Sequence, residues 1–189
     1  VGSMISMALC PLLIKKLDER KAYILLSVYG FAASIFSFIV GHFWFNDPDN
    51  MVLTVLFYAS LFLIGLQFGA VTLMPMIMTA DAVDYYEYET GKRMEGAAYS
   101  ILTLTIKVCL ALGTAVGLIF VQLSGYYDTM ASNGSFAPQT KDIIFFAYTA
   151  LPGILALLSV IPMFKYDIVG EKKTMITEAL AKRRGTKED

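Results

Sequence analysis

Long runs without charged residues dominate this chain and constrain its fold more than any other feature. They predict membrane-spanning helices at about residues 22–45, 51–79, 95–123 and 142–164. Each run meets the requirement of about 20 residues for crossing the bilayer core, and His42 and Lys107 are the obvious polar exceptions inside them. The chain is 57% hydrophobic and 16% charged, whereas a soluble domain is about 45–50% apolar and about 25% charged. The sequence therefore predicts an all-α, polytopic membrane protein.

The distribution of basic residues predicts the orientation of these spans. Lysines and arginines cluster before the first span, between the second and third, and after the fourth. Lys141 is the only basic residue in the two remaining loops, 42–50 and 124–142. Because basic loops stay on the cytoplasmic side, we expect a multi-pass protein of the cytoplasmic (inner) membrane with a cytoplasmic C-terminus.

The two ends of the chain differ from the four spans. Residues 1–14 are apolar but too short to cross the membrane, and we expect them to form the inner half of a helix that begins outside this chain. Residues 1–165 then form the transmembrane part, and 166–189 form a cytoplasmic tail. Within the tail, a short amphipathic helix is predicted over 170–184, with Met175, Ile176, Ala179 and Leu180 on one face. We expect that face to lie on the inner leaflet.

Motifs of soluble enzymes are absent from the sequence. It has no CxxC, HExxH, P-loop or GxGxxG pattern, and both cysteines, Cys10 and Cys109, fall in apolar segments. The sequence places no nucleophile–base pair or set of metal ligands at a common membrane depth. We therefore expect a protein that is not an enzyme, has no cofactor or identifiable metal site, and does not bind nucleic acid.

Lys107 is the most informative single residue. At about 1.5 Å per residue it lies about 18 Å from Glu95 and about 24 Å from Leu123, too deep for its side chain to reach either interface. A central lysine costs roughly 2.5–3.5 kcal/mol and normally faces a cavity or a partner charge. It belongs to a stripe of polar or small residues at helical spacing: Ser100, Thr103, Lys107, Ala111 and Thr114. The stripe favours a transport pathway, and the alternative is a buried ion pair that only fixes helix packing.

The carboxylates of the chain do not lie at the depth of Lys107. Every Asp and Glu is in a predicted loop, at a predicted helix end or in the tail. A paired Lys107 would therefore need a carboxylate from a part of the protein outside this chain or from another subunit.

Small residues at helical spacing mark predicted packing surfaces. Gly65 and Gly69 form a GxxxG motif in the second span, and Gly113 and Gly117 form another in the third. Small residues let helix backbones approach closely in lipid, so we interpret both motifs as helix-packing contacts. Pro75 interrupts the second span near its cytoplasmic end.

Carboxylates are concentrated after the second span. Asp81, Asp84, Glu87 and Glu95 stand close to Arg93 in the sequence. Such a cluster suits a cytoplasmic gate whose ion pairs break as two halves of a protein move. A solvated loop with surface pairs worth about 0–1 kcal/mol each is the alternative, and the residues alone leave both open.

The same segment resembles a known family of transporters. Its pattern is Ala80-Asp81-Ala-Val-Asp84-Tyr85-Tyr-Glu87-Tyr88, then Arg93-Met-Glu95, Ala98-Tyr99-Ser100 and Lys107. This is similar to the glycoside–pentoside–hexuronide:cation symporters (melibiose permease-like) of the major facilitator superfamily. The resemblance covers the chain from the end of the eighth helix onwards. It implies the C-terminal part of a twelve-helix fold, with one partial and four complete transmembrane helices here.

The resemblance also implies a function and site residues. Members of the family take up a glycoside, pentoside or hexuronide together with Na⁺, Li⁺ or H⁺, by alternating access. Lys107 and Thr103 match positions near the cation and sugar sites, and the coupling cation is expected to bind mainly in the N-terminal half, the expected partner of this chain. Asp81, Asp84, Glu87, Arg93 and Glu95 match the inner-gate loop. Thr72, which stands where a relative has a sugar-facing tryptophan, and Gln67 are further candidates for the sugar cavity.

Two other functions are compatible with the sequence. A symporter of the same fold could carry lysolipids or other amphiphiles, in which case apolar side clefts are expected. A membrane scaffold or sensor would bind a ligand or partner without accumulating it, and would tolerate replacement of Lys107.

Overall fold

The computed structural model describes residues 2–131, 136 and 138–185, and the regular structure in them is entirely α-helical. The helices are α1 (Gly2–Asn46), α2 (Met51–Thr90), α3 (Glu95–Leu123), α4 (Tyr126–Ala131), α5 (Pro138–Tyr148), α6 (Ala150–Leu158), α7 (Val160–Met163) and α8 (Gly170–Gly185). Within the described residues, four helical stretches are long and apolar enough to cross a membrane: Gly2–Asn46, Met51–Thr90, Glu95–Leu123 and Gln139–Met163. The expectation of an all-α, multi-pass membrane protein is confirmed.

The first helix consists of two helical segments that meet at Asp18. The Asp18 backbone has φ 63° and ψ 158°. This conformation is essentially reserved for glycine, so it is strained for an aspartate. The predicted partial helix 1–14 lies before this break, apart from residue 1, which is outside the described residues. The predicted span 22–45 lies after it. The break places Glu19, which is buried, at the start of the second segment.

Local sequence signals set the ends of α2. The Asn50 side chain accepts hydrogen bonds from the backbone N–H groups of Val52 (3.1 Å) and Leu53 (3.4 Å), which caps the first turn. Helix α2 continues through Pro75 and beyond the predicted span 51–79. It ends where Gly91 adopts the left-handed conformation (φ 71°) and donates its N–H to Glu87 O at 2.8 Å.

Two prolines divide the last predicted span into α5, α6 and α7. A proline has no N–H with which to bond the carbonyl four residues earlier, and its ring crowds that carbonyl. Pro152 lies four residues after Tyr148, where α5 ends, and Pro162 lies four residues after Leu158, where α6 ends. The predicted span 142–164 corresponds to the stretch Gln139–Met163, which is long and apolar enough to cross a membrane and is divided into three short helices. Their joints are the predictable consequence of the two prolines.

A close contact between α1 and α2 forms the centre of the bundle. A Cβ at Gly69 would overlap the backbone of Ser3, and a Cβ at Gly2 would lie 2.9 Å from Phe62 O. Further along, the buried hydroxyls of Ser37 and Ser60 are 3.0 Å apart. The GxxxG motif of α2 is therefore a helix-packing contact, as the sequence predicts.

Helix α3 lies at the edge of the bundle. It contacts α2 and α5, and none of its residues is buried. Apolar side chains such as Leu104, Leu110 and Leu123 are more than 60% exposed. A Cβ at Gly113 or Gly117 would meet no heavy atom of the described residues within 4 Å. The second GxxxG motif therefore makes no helix contact within the described part of this chain.

Candidate functional site

An open groove on α3 contains the two residues that the sequence singles out for a central site. Gly96, Tyr99, Ser100, Thr103, Leu104 and Lys107 line this central groove, which has a volume of about 430 Å³. The Thr103 hydroxyl donates a hydrogen bond to Tyr99 O at 2.8 Å, which fixes its rotamer and leaves its oxygen free to accept. Lys107 is exposed in the groove, and no carboxylate of the described residues forms an ion pair with it. The groove thus presents a cation beside hydroxyl groups.

Gln67 and Thr72 lie elsewhere on α2. Gln67 is buried, and its amide occupies the space that the absent side chain of Gly30 leaves on α1. Thr72 is exposed and donates its hydroxyl to Phe68 O at 2.7 Å. Neither residue lines the central groove, and in this arrangement Gln67 serves the packing of α1 on α2.

One end of the bundle carries the Asp18 break, the turn 91–94 and α8, and we call it the basic end. Charged residues form a cluster there. The left-handed Gly91 turns the chain so that Arg93 folds back over α2. Its guanidinium lies 3.0 Å from Asp84 Oδ1, 2.9 Å from Glu87 Oε2 and 3.0 Å from Glu95 Oε2. Arg184 of α8 contacts the same Glu87 oxygen at 2.8 Å. We call these five residues the Arg93 cluster.

The Arg93 cluster is half-open to solvent. The side chain of Arg93 is 43% exposed and that of Glu87 is 17% exposed. The hydrogen bonds to Glu87 and Glu95 raise the pKa of the Arg93 guanidinium further above its usual range, so this residue is cationic at any physiological pH. The cluster can therefore form and break by movement of its parts without proton transfer.

Asp81 does not join the Arg93 cluster. Its carboxylate lies 2.7 Å from the ammonium of Lys173 on α8, which is also 2.6 Å from Glu19 Oε1 on α1. Tyr166 donates its hydroxyl to Asp81 at 3.3 Å. We call these four residues the Lys173 cluster. The structure therefore divides the predicted gate residues between two clusters, with Asp81 separated from the other four.

Charge and burial act together in the Lys173 cluster. Burial and the negative charge of Asp81 raise the pKa of the Tyr166 phenol well above its ordinary value, so it remains a donor. Burial disfavours the charged form of Lys173, but its hydrogen bonds to Asp81 and Glu19 outweigh this and raise its pKa. The ammonium thus stays charged between two carboxylates whose side chains are 10% and 8% exposed.

Sequence reasoning missed four residues of these clusters: Glu19, Tyr166, Lys173 and Arg184. The two basic ones are among several lysines and arginines of the tail, and only their contacts distinguish them. Glu19 carries a weak signal, since it and Asp18 are the two acidic residues among the lysines and the arginine that follow the first apolar segment. Tyr166 has no signal that separates it from other tyrosines.

Helix α8 packs on protein through Ile176 and Leu180, two of the four residues expected to lie on the inner leaflet, whereas Met175 of the same face is exposed. Ile176 and Leu180 are 2% and 3% exposed and form a hydrophobic cluster with Ile168. Tyr85 and Tyr88 of α2 pack against that cluster. The extension of α2 beyond its predicted span supplies this apolar surface, and the contact removes it from water.

The sequence of this chain also matches a known protein family. A model of the family described as MFS/sugar transport protein matches residues 1–170. The chain belongs to this family. The resemblance to the sugar symporters of the major facilitator superfamily is thereby confirmed.

Individual relatives agree with this assignment to the MFS/sugar transport family. The chain is 26% identical over 185 residues to a "Putative sulfoquinovose importer" of Escherichia coli, covering 96% of this chain and 36% of that protein. It is 31% identical over 137 residues to the "Inner membrane symporter YicJ" of the same organism, covering 71% and 29%. A "Glucuronide carrier protein homolog" of Escherichia coli is 24% identical over 182 residues, covering 94% and 36%.

The relatives are longer than this chain. The chain spans about a third of the length of these three proteins, and 54% of an uncharacterized 29.9 kDa protein of Pseudescherichia vulneris that is 28% identical to it. No solved structure matches the chain at a significant level.

Proposed function

We propose that this chain forms the C-terminal part of a symporter that takes up a glycoside, pentoside or hexuronide together with Na⁺, Li⁺ or H⁺. The match to the MFS/sugar transport family supports the proposal, as do relatives named as a sulfoquinovose importer, a glucuronide carrier homologue and a symporter. The protein would lie in the cytoplasmic membrane, with the basic end and the C-terminus on the cytoplasmic side. This orientation rests on the positive-inside rule.

The observation that carries the proposal is the exposed Lys107 in the central groove. A lysine at the centre of a spanning helix is costly in lipid, and the described residues provide no carboxylate for it. We infer that α3 faces a water-filled cavity and that acidic side chains of the N-terminal half lie across it. Those carboxylates would supply the main ligands of the coupling cation.

The groove suits a sugar or sugar acid. Lys107 can donate to a ring hydroxyl or pair with a uronate carboxylate. The Thr103 and Ser100 hydroxyls donate to backbone carbonyls of α3 and offer their oxygens as acceptors. If a bound cation raises the affinity for the sugar, the sugar raises the affinity for the cation by the same factor. Coupling of this kind is reciprocal and needs no contact between the two ligands.

The Arg93 cluster is our candidate for the cytoplasmic gate. Its ion pairs are short but partly exposed, so each contributes about 0–1 kcal/mol and can exchange partners at little cost. Contacts of this strength suit a gate that opens and closes in every cycle. Alternating access would then be movement of this part against the N-terminal half.

Ligand-dependent stability of the full-length transporter tests the proposal. A ligand that binds only the native state raises apparent stability by RT ln(1 + [L]/Kd). We expect the protein purified in detergent to unfold at a higher temperature with one glycoside, pentoside or hexuronide, and the increase to grow when Na⁺ or Li⁺ is added or the pH is lowered. An increase with lysolipids but with no sugar in the panel would contradict the proposal and favour an amphiphile carrier.

A further inference from the structure

The ammonium group of Lys173 is the point at which three elements of the basic end meet. It lies 2.6 Å from Glu19, the first residue after the Asp18 break of α1, and 2.7 Å from Asp81 of α2. Lys173 belongs to α8, so one side chain joins positions 154 and 92 residues away along the chain. No other described side chain pairs with the Glu19 carboxylate.

The burial of the two carboxylates makes this contact strong. Both are at most 10% exposed, whereas the Lys173 side chain is 33% exposed, so water reaches the lysine but hardly reaches its partners. Removing one member of a buried charge pair leaves the other uncompensated and is strongly destabilising. Without Lys173, two neighbouring buried carboxylates would repel each other, and solvation would require α8 to move away.

The same helix also reaches the Arg93 cluster. Arg184, in the last turn of α8, bonds to Glu87, and Arg183 donates to Tyr88 O at 2.9 Å. Between them, Ile176 and Leu180 are buried on α2. Helix α8 is thus fixed at its first turns by Lys173 and at its last turn by two arginines.

We propose that Lys173 is a positioning residue that clamps the Asp18 break of α1 to the end of α2, and that α8 thereby sets the position of the Arg93 cluster. In its docked position α8 is a structural part of the gate. Movement of α2 relative to α1 at this end requires the Lys173 contacts to break. The effect on transport rests on the proposed function, whereas docking of α8 through Lys173 does not.

Hydrogen exchange of the full-length protein in detergent, without sugar, tests the docking. We expect Lys173→Met to accelerate amide exchange within residues 174–181 by about tenfold or more, because the docked state loses its buried ion pairs. Lys172→Met is the matched control, since Lys172 is the adjacent residue and its only ion pair among the described residues is with Asp167, whose side chain is 70% exposed. The Lys172 ammonium also lies 4.9 Å from the centre of the Tyr85 ring, so this control retains the buried ion pairs of Lys173 and removes only that weaker contact with α2. Equal exchange in both variants and the wild type would overturn the proposal.

Two further variants separate a clamp from general destabilisation. Lys173→Arg retains a cation that can bridge two carboxylates, and we expect it to restore slow exchange. Glu19→Gln leaves a one-to-one pair between Lys173 and Asp81, so α8 should remain docked. Rapid exchange in Lys173→Arg would contradict the bridging role.

If Lys173→Met does not accumulate in the membrane, a variant without buried charge tests whether α8 docks through the Lys173 ion pairs. The triple variant Glu19→Gln/Asp81→Asn/Lys173→Met has no uncompensated charge and should accumulate. Rapid exchange of α8 in that variant supports the clamp. Slow exchange overturns it, because the apolar contacts of Ile176 and Leu180 would then suffice for docking.

Transport kinetics test the effect on the gate. Lys173 does not line the central groove, so we expect Lys173→Met to lower the maximal uptake rate while the KM for sugar changes less than about twofold. A raised KM at an unchanged maximal rate would overturn the link to the gate. Absence of sugar uptake in the wild type would refute the proposed function and leave the exchange result interpretable.

Discussion

Helices α2 and α3 contain the same GxxxG motif but differ in what surrounds it. In α2, Gly65 and Gly69 lie against Gly2 and Ser3 of α1, with no room for a side chain at Gly69. In α3, Gly113 and Gly117 face open space within the described residues. A motif shows that a close helix contact is possible, and only the structure shows whether this chain supplies the partner.

The lysines of the two regions differ in the same way. Lys173 lies between two carboxylates of its own chain, whereas Lys107 has no carboxylate partner among the described residues. On the α1–α2–α8 side of the molecule, Lys173 and the glycines of the GxxxG motif therefore have their partners within this chain. On the exposed side of α3, Lys107 and the glycines have none among the described residues. This contrast is the physical reason to infer that α3 forms the surface towards a second half.

Replacement of Lys107 should have the largest effect. We expect Lys107→Ala in the full-length protein to lower gradient-driven uptake about 100-fold or more, because the acidic groups proposed to face it would lose their counter-charge. Uptake into proteoliposomes measures this, with membrane insertion checked by protein amount. Lys141→Ala is the control, since Lys141 lies outside the central groove, near the other end of the bundle. Full uptake by Lys107→Ala would end the proposed role.

Valine substitutions in the two GxxxG motifs should have the second-largest effect. Gly69→Val should lower the free energy of unfolding by about 1–3 kcal/mol or more, because its Cβ would overlap the Ser3 backbone. Thermal unfolding of the full-length protein in detergent measures the loss, and we expect Gly117→Val to cost less. Equal losses would show that α3 is packed as tightly as α2 by helices outside the described residues, which would remove the contrast.

The bounds of α3, the joints of the last span and the turn after α2 follow from local sequence. Helix α3 has the bounds expected for the third span, and the joints at Thr149 and Ser159 follow from Pro152 and Pro162. The Gly91 turn is equally local, since glycine alone adopts its left-handed conformation without strain. Each of these features depends on residues at most four positions apart.

The ionic partners could not be predicted in this way. Lys173 and Glu19 are 154 residues apart, and nothing in either neighbourhood distinguishes this pairing from others in a basic tail. The family resemblance groups Asp81 with Asp84 and Glu87, whereas in the structure α8 contacts Asp81 through Lys173 and Glu87 through Arg184. Long-range charge pairing depends on packing, and the sequence pattern does not specify it.

Alkaline pH should release α8 with a smaller effect than the glycine substitution. The pKa of Lys173 is raised in the folded protein, so the stabilisation is fully present below its unfolded value of 10.5 and is lost as the pH rises through the raised value. Hydrogen exchange of residues 174–181, corrected for the intrinsic pH dependence of exchange, measures this. Lys173→Arg should abolish the release below about pH 12, because a guanidinium does not titrate there. Release at the same pH in both proteins would assign the transition to another group.

Neutralisation of Arg184 should have the smallest effect. Its side chain is 54% exposed, and its partner Glu87 retains the contact with Arg93. We therefore expect Arg184→Gln to lower the free energy of unfolding by only about 0–1 kcal/mol, and the loss to diminish at high salt, where exposed pairs are screened. Thermal unfolding at low and high ionic strength measures both. A loss comparable to that of Lys173→Met would mean that the two clusters act as one network, and the division between a buried clamp and an exchangeable gate would have to be abandoned.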